Sequence, residues 1–231
     1  MTDSGLCVIV GATGSMGSAT TMRLVRSGYR VLAVARNADA LERLAASNER
    51  ITPCVADISS DHAITAIAEE LEEPVRLALF AAGLPVRGSA DTIDPGAIAV
   101  AANIKVGGLI RLLHAVRHQL VPGSRFVTIA GSLGLEPGPL DAGPGTANAA
   151  VLNLMRQISA LYGPKGVTTH TLAPGPVETP RLQAFVETEA AETRRPTTEI
   201  WERYRAKTTL GRLPTLDEIA WMVDARSSNS A

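Results

Sequence analysis

Residues 8–17 read Val8-Ile9-Val10-Gly11-Ala12-Thr13-Gly14-Ser15-Met16-Gly17. Three β-branched residues favour a strand, and the glycines that follow turn the chain into a helix. Gly11 and Gly14 permit a tight backbone and a close approach. Gly17 lets the helix pack on the strand, and the helix N-terminus presents N–H groups to a pyrophosphate. In this strand-to-helix setting the loop reads as a nucleotide cradle built from Gly11, Thr13, Gly14, Ser15, Met16 and Gly17.

Outward from the loop, short apolar runs alternate with segments of helical period, the pattern of a parallel sheet covered on both faces by helices. Strands are expected at Leu6–Val10, Val31–Ala35, Thr52–Ala56, Leu77–Ala81, Arg125–Ala130 and Val167–Ala173. Each is read as apolar on nearly every residue, as burial on both faces requires. Helices are expected at Met16–Ser27, Ala38–Ser47, Asp61–Leu71, about Pro95–Leu120, Ala147–Tyr162 and Thr215–Ala225. The fold class is therefore α/β, a doubly wound, Rossmann-type parallel sheet flanked by helices, forming one dinucleotide-binding domain over residues 1–231. The polar stretch Arg181–Arg205, dense in Glu, Arg and Thr, reads as a substrate lid at about residues 180–207.

The chain of 231 residues is 45% hydrophobic and 19% charged, the balance of a globular protein and not of a disordered one. Its 22 basic and 23 acidic side chains, with 3% aromatics, argue against nucleic acid as a partner. Cys7 and Cys54 lie in apolar runs without metal-ligand spacing and read as buried free thiols. No apolar stretch is read as reaching the roughly 18 residues of a membrane span. Met1–Leu6 lacks the features of a signal peptide, so a cytoplasmic location without a membrane partner is expected. His114 and His118 stand one helical turn apart with no third ligand in view, which favours an exposed pair over a metal site.

The end of the second strand bears on which nucleotide is bound. Its sequence is Val34-Ala35-Arg36-Asn37, without the Asp or Glu that would hold a ribose 2′-hydroxyl. Arg36 offers a forked cation to a 2′-phosphate, which favours NADP(H).

At this point the residues resemble the short-chain dehydrogenase/reductase family, from Leu6 to about Val223. The glycine loop is similar to that family's, with spacing Gly-x-x-Gly-x-x-Gly in place of Gly-x-x-x-Gly-x-Gly. Val55-Ala56-Asp57-Ile58 is similar to the family's Asp-Val step, implying that Asp57 and Ile58 flank the adenine. Phe80-Ala81-Ala82-Gly83 stands where the family has Asn-Asn-Ala-Gly, placing Ala82 and Gly83 beside the cofactor. Asn103 resembles the helix asparagine that helps order a proton-relay water. Leu172-Ala173-Pro174-Gly175-Pro176-Val177-Glu178-Thr179 resembles the Pro-Gly segment, implying contacts from Pro174, Gly175, Val177 and Thr179 to the nicotinamide end.

The catalytic segment departs from the family pattern. Ser132 ends the run Phe126-Val127-Thr128-Ile129-Ala130-Gly131-Ser132, where the family carries its catalytic serine. No Gly-x-Ser-x-Gly elbow surrounds it, which argues against a hydrolase. The family's Tyr-x-x-x-Lys is absent: one register places Pro144 and Asn148 at those positions, and a shift by one gives Gly145 and Ala149. The chain has three tyrosines, Tyr29, Tyr162 and Tyr204, and four residues after them stand Ala33, Gly166 and Thr208. Asp141 is the nearest titratable residue in sequence. Lys105, two residues past Asn103, is expected to point about 200° away from it on an ideal helix, so it reads as no substitute for the missing lysine.

The resemblance implies an oxidoreductase that binds NADP(H) and a small-molecule carbonyl, alcohol or activated double bond, with Ser132 and Asn103 in catalysis and an atypical proton donor. The competing expectation is a catalytically inactive relative, a redox sensor or non-catalytic subunit. It also implies a homodimer through the helices at about 104–120 and 147–162. The last strand of the family, which serves a second interface, is expected to be missing because nothing after Val223 resembles it.

Overall fold

The computed structural model describes residues 4–84, 86 and 88–224. Strands β1 (Leu6–Val10), β2 (Arg30–Ala35), β3 (Ile51–Val55), β4 (Val75–Phe80), β5 (Leu120–Ile129) and β6 (Thr168–Leu172) form one sheet in the order β3-β2-β1-β4-β5-β6. Every neighbouring pair is parallel. A parallel neighbour is reached by a crossover. The crossovers here are α1 (Ser15–Arg26), α2 (Ala38–Ala46), α3 (His62–Ala68), the pair α4 (Pro95–Ala102) and α5 (Gly108–Val116), and α6 (Ala142–Tyr162). After β6 come α7 (Pro180–Thr193), α8 (Thr197–Ala206) and α9 (Leu216–Asp224). The order reverses between β1 and β4, which opens a crevice at the carboxyl ends of the strands.

Side chains alternate across each strand, so the sheet feeds two cores. Val8 and Val10 join Ile67, Leu109, Leu112, Val151 and Met155 on one face. Cys7 and Ile9 join Leu24, Leu41, Ile219 and Val223 on the other. With both faces covered, all of β1 is buried and its unbroken apolar run is explained. Both cysteines are buried free thiols; desolvation raises the pKa of Cys7 and pushes Cys54 to about 11.

The edge strands depart from the expected apolar pattern. In β6 the residues Thr168-Thr169-His170-Thr171 are exposed or half-exposed and only Leu172 is buried. In β3, Pro53 occupies a position that a central strand would not tolerate, since an edge strand leaves one side of its backbone unpaired. Beyond Asp224 the tail lies outside the described residues, where the expectation of a missing last strand also falls.

Helix α6 begins at Ala142, earlier than the expected Ala147. Gly143-Pro144-Gly145 reads as a break, yet the first turn of a helix has no N–H bonds to lose, so proline fits there. The long helix expected at Pro95–Leu120 ends at Val116 and is interrupted by a π-turn at Asn103–Gly107. Contrary to the sequence reading, Pro95–Val116 is long and apolar enough to cross a membrane by length and composition. Its residues Leu109, Leu112 and Val116 are fully buried in the core beneath the sheet, which accounts for the apolar content. His114 and His118 are exposed.

The polar stretch after β6 folds into α7 and α8. Thr179 Oγ1 accepts from Leu182 N (3.2 Å) and Pro180 takes the first helical position, a conventional start for α7. Arg203 on α8 pairs with Glu189 on α7. Helix α9 starts with a capping box: Glu218 N donates to Thr215 Oγ1 (3.1 Å) and Thr215 N to Glu218 Oε2 (2.8 Å). It is tied to α1 where Arg23 Nε (3.0 Å) and Ser27 Oγ (2.9 Å) donate to Asp224.

The β1–α1 crossover depends on one contact: a Cβ on Gly17 would stand 2.1 Å from the carbonyl oxygen of Gly11. Replacing Gly17 with Ala must part the helix from the loop and should cost about 1–3 kcal/mol. Urea denaturation of the variant measures this, and an unchanged midpoint would show that the contact is not limiting.

Candidate functional site

The glycine loop closes on itself and on β4. Gly11 has φ +85°, and a Cβ there would lie 2.9 Å from the backbone of Ala81 and Ala82. Gly14 N donates to Gly11 O (3.0 Å), and Ser18 N to Gly14 O (2.7 Å). Gly14 is the N-cap of α1 without a side-chain cap, which leaves first-turn N–H groups for an anion. Thr13 and Ser18 also line a smaller cleft with Arg43 and Ser47 between α1 and α2.

The residues after β2 and β3 lie on the same edge. Arg36 is exposed, and its charge helps lower the pKa of Asp57. The larger causes of that lowering are Ser59 N (2.9 Å) and Ser59 Oγ (2.7 Å), which donate to Asp57 Oδ1. Asn37 Oδ1 accepts from Ala40 N (2.9 Å), so it caps α2. Ile58 is buried in the core, 3.2 Å from where a Cβ on Gly108 would sit.

Between the strand ends and α7–α8 lies a cavity of about 400 Å³. Ala82 and Gly83 border it after β4, Ser132 after β5, and Pro174, Gly175, Val177 and Thr179 after β6. Ser132 is fixed through its backbone: its N–H donates to Pro174 O (2.8 Å), and its carbonyl accepts from Leu135 N (2.8 Å) and Glu136 N (2.9 Å). Its Oγ lies 4.0 Å from where a Cβ on Gly175 would stand.

Pro144 and Asn148 border the cavity, whereas Gly145 packs under Leu133 and Pro137. A Cβ on Gly134 would strike the backbone of Asn148 and Ala149 at 2.8 Å, so the Ser132 turn lies directly on α6. Asn148 is 5% exposed, and its Oδ1 has no hydrogen-bond partner among the described residues. A buried amide oxygen left without a donor is costly, and a ligand hydroxyl can relieve that cost.

On the long helix Asn103 is exposed and Lys105 is buried. Asn103 does not border the cavity: its Nδ2 donates to Ser59 O (3.0 Å), and its Oδ1 and O accept from Arg111 Nη2 (2.9 Å) and Nη1 (3.2 Å). Arg111 extends this network to Ile58 O (3.2 Å) and Asp61 Oδ1 (2.6 Å). Asn103 thus anchors α4 to the loop after β3. Lys105, expected to point away from the site, is the residue that enters the cavity. The two do diverge, as an ideal helix requires, but the π-turn at Asn103–Gly107 turns the lysine inward. Gly108 helps, because a Cβ there would touch the Phe80 ring at 3.0 Å, so its absence lets the helix lie close to β4.

Lys105 is 6% exposed; its Nζ donates to Ile129 O (3.0 Å) and stands 6.0 Å from the centroid of Phe80. Among the described residues no carboxylate is paired with it. Desolvation, with a smaller contribution from Arg181, lowers its pKa to about 8. The signal available in the sequence was a lysine in an otherwise apolar stretch, followed by Gly107-Gly108.

The remaining polar lining comes from Asp141, Arg181, Tyr204 and Lys207. Asp141 Oδ2 accepts from Gly138 N (2.9 Å). Arg181 donates to Leu84 O, another lining residue, and its guanidinium stands 5.3 Å from the Phe185 centroid, and desolvation lowers its pKa. Among the described residues no group of three His, Cys, Asp or Glu side chains is placed to hold a metal ion.

Comparison with known proteins agrees with this fold. The chain is 27% identical over 222 residues to 2-keto-3-deoxy-L-fuconate dehydrogenase of Xanthomonas campestris pv. campestris, covering 94% of this chain and 72% of that protein. NAD+-bound xylitol dehydrogenase superposes with a TM-score of 0.87 at 21% identity, over 96% of this chain and 91% of that one. BdcA in complex with NADPH gives a TM-score of 0.81 at 21% identity, over 96% and 86%. The family model described as short chain dehydrogenase matches residues 6–190. The chain therefore belongs to the short-chain dehydrogenase/reductase family of nicotinamide-dependent oxidoreductases.

Proposed function

We propose that the protein is an NADP(H)-dependent oxidoreductase acting on a small carbonyl compound, alcohol or activated double bond, with a proton donor other than the family's tyrosine. The observation that carries this reading is the coexistence of the closed glycine cradle with a cavity that Ser132, Asn148 and Lys105 all line. The residues fit the cofactor. Gly11, Thr13, Gly14, Ser15, Met16 and Gly17 would surround the pyrophosphate, where any Cβ at 11 or 17 would fill the cradle. Asp57 and Ile58 would border the adenine, and Ala82 and Gly83 the ribose. The free Oδ1 of Asn148 would accept from a ribose hydroxyl. Pro174, Gly175, Val177 and Thr179 would border the nicotinamide, which when bound supplies or accepts the hydride. Ser132 would hold the substrate oxygen by a hydrogen bond, and α7 with α8 would exclude water as the lid of one domain.

The choice of NADP(H) rests on Arg36, with Asn37 beside it, and on the lack of an acid at the end of β2. Structural relatives include both an NAD+-bound and an NADPH-bound protein, so the preference is a matter for this chain's own residues. A second reading, a catalytically silent nucleotide-binding protein, is favoured by the absence of a Tyr-x-x-x-Lys from the sequence, with Pro144 and Asn148 on the cavity wall. We place the protein in the cytoplasm as a homodimer through α5 and α6; Leu161 on α6, 60% exposed, is an apolar residue that such pairing would cover.

Three measurements test these readings. Arg36→Ala should weaken NADPH by tenfold or more, from about 1.5–3 kcal/mol for a hydrogen bond to a charged group, while leaving NADH nearly unchanged. Equal loss for both in a fluorescence titration refutes the preference. Following NADPH absorbance against aldehydes, ketones, quinones and enones separates enzyme from silent binder, since tight binding without any turnover favours the latter. Light scattering should give twice the 24.2 kDa chain mass, and a monomer would refute the pairing.

A further inference from the structure

The missing tyrosine and lysine leave open where the substrate oxygen obtains its proton. Lys105 is the one lysine carried by the sheet-packed frame of the cavity, held by Ile129 O at the end of the strand that leads to Ser132. A lysine ammonium has three N–H donors, and Ile129 O takes one, so two remain for the cavity. The other ionisable groups lining the cavity are Asp141 at the start of α6, Arg181 on α7, Tyr204 on α8 and Lys207 directly after it. Asp141 is bonded to Gly138 N on its own loop, and Arg181 is a cation. Lys207 is exposed at the lid, 5.9 Å over the Tyr204 ring, so neither belongs to the rigid frame.

We propose that the Lys105 ammonium is the proton donor of this active site, replacing from the α4–α5 π-turn the pair that α6 lacks. The inference rests on the oxidoreductase reading given above. In the reducing direction the carbonyl carbon takes the hydride from the reduced nicotinamide dinucleotide and the C=O π pair moves to oxygen. An Nζ–H bond of Lys105 breaks as the new O–H bond forms, leaving a neutral amine that still donates to Ile129 O. Water at the cavity mouth returns the proton. Oxidation runs the same steps backwards with the neutral amine as base.

Burial serves this chemistry, because a pKa lowered to about 8 lies close to neutral pH, where a group both gives and regains a proton efficiently. The sign of the pH dependence follows. Reduction needs the ammonium, so kcat/KM should be flat below about pH 8 and fall tenfold per unit above it. Oxidation needs the amine and should rise to a plateau across the same range.

The test uses the full chain with NADPH and a panel of neutral and carboxylate-bearing aldehydes and ketones, since Arg181 and Lys207 share the cavity. Lys105→Met should lower kcat by about 10²- to 10⁴-fold and remove the break near pH 8, with NADPH affinity changed little. Lys105→Arg, which keeps the charge but does not release the proton, should be similarly slow. Lys165→Met, in the turn before β6, is the control. An independent readout exploits the three lysines: labelled with 15N at the side chain, they give three signals, and the one lost in Lys105→Met should titrate near pH 8.

If wild-type protein turns over a substrate and Lys105→Met keeps both rate and pH break, the assignment to Lys105 falls while the oxidoreductase reading stands. Loss of the break in Tyr204→Phe instead would give the proton to the lid. Titration of the Lys105 signal above pH 10 would also overturn the proposal. A wild-type protein that binds NADPH and reduces nothing on the panel sinks the functional reading, and the donor role with it.

Discussion

The parallel pairing of β1 with β4 sets everything at the active edge. Its register places Val10 beside Phe80, so the chain leaves both strands at one level and turns to opposite faces. Gly11 then rests against Ala81 and Ala82 with no room for a side chain, and a crevice opens between the two crossovers. The next pairings carry that level outward, Phe80 beside Thr128 and Thr128 beside Thr171. Ser132 and Pro174 consequently emerge next to each other, and their backbone hydrogen bond ties the serine turn to the loop after β6.

Central strands were legible because burial on both faces demands apolar residues at every position, and little else in a soluble chain has that pattern. The strand β6 was located correctly for its span but misread in character, since an edge needs only one covered face and tolerates Thr168, Thr169 and Thr171. Pro144 hid the start of α6, because proline signals a break everywhere except in a first turn. The glycine cradle and the bordering residues after β4 and β6 were readable from local motifs, whereas the direction of Lys105 depended on helical phase. A π-turn changes that phase by backbone hydrogen bonding alone, and no residue pattern in Asn103-Ile104-Lys105-Val106-Gly107 announces it.

Burying an unpaired ammonium opposes folding, and the cost is visible as the lowered pKa of Lys105. The structure limits that cost in two ways: Ile129 O accepts one N–H, and the Phe80 ring presents its face at cation–π range. Neither neutralises the charge as a carboxylate would. A paired lysine would be cheaper to bury but would hold its proton more tightly, so the missing counter-ion is what keeps the group near neutral pH.

The same electrostatics explains why the residues on α6 and the lysine on the π-turn belong together. A lysine at 148 and another at 105 would place two ammonium groups on the wall of one apolar cavity, each raising the cost of charging the other. Asn148 supplies hydrogen-bonding capacity at that position without charge, which leaves Lys105 the only ammonium on the inner wall. Pro144, in turn, adds no hydroxyl to the cavity wall. Introducing tyrosine and lysine at 144 and 148, one of the two registers the sequence allows, would therefore not by itself supply the family's pair. With Lys105 retained, the added cation would push one of the two lysines to the neutral form, and a working exchange of donors requires removal of Lys105 at the same time.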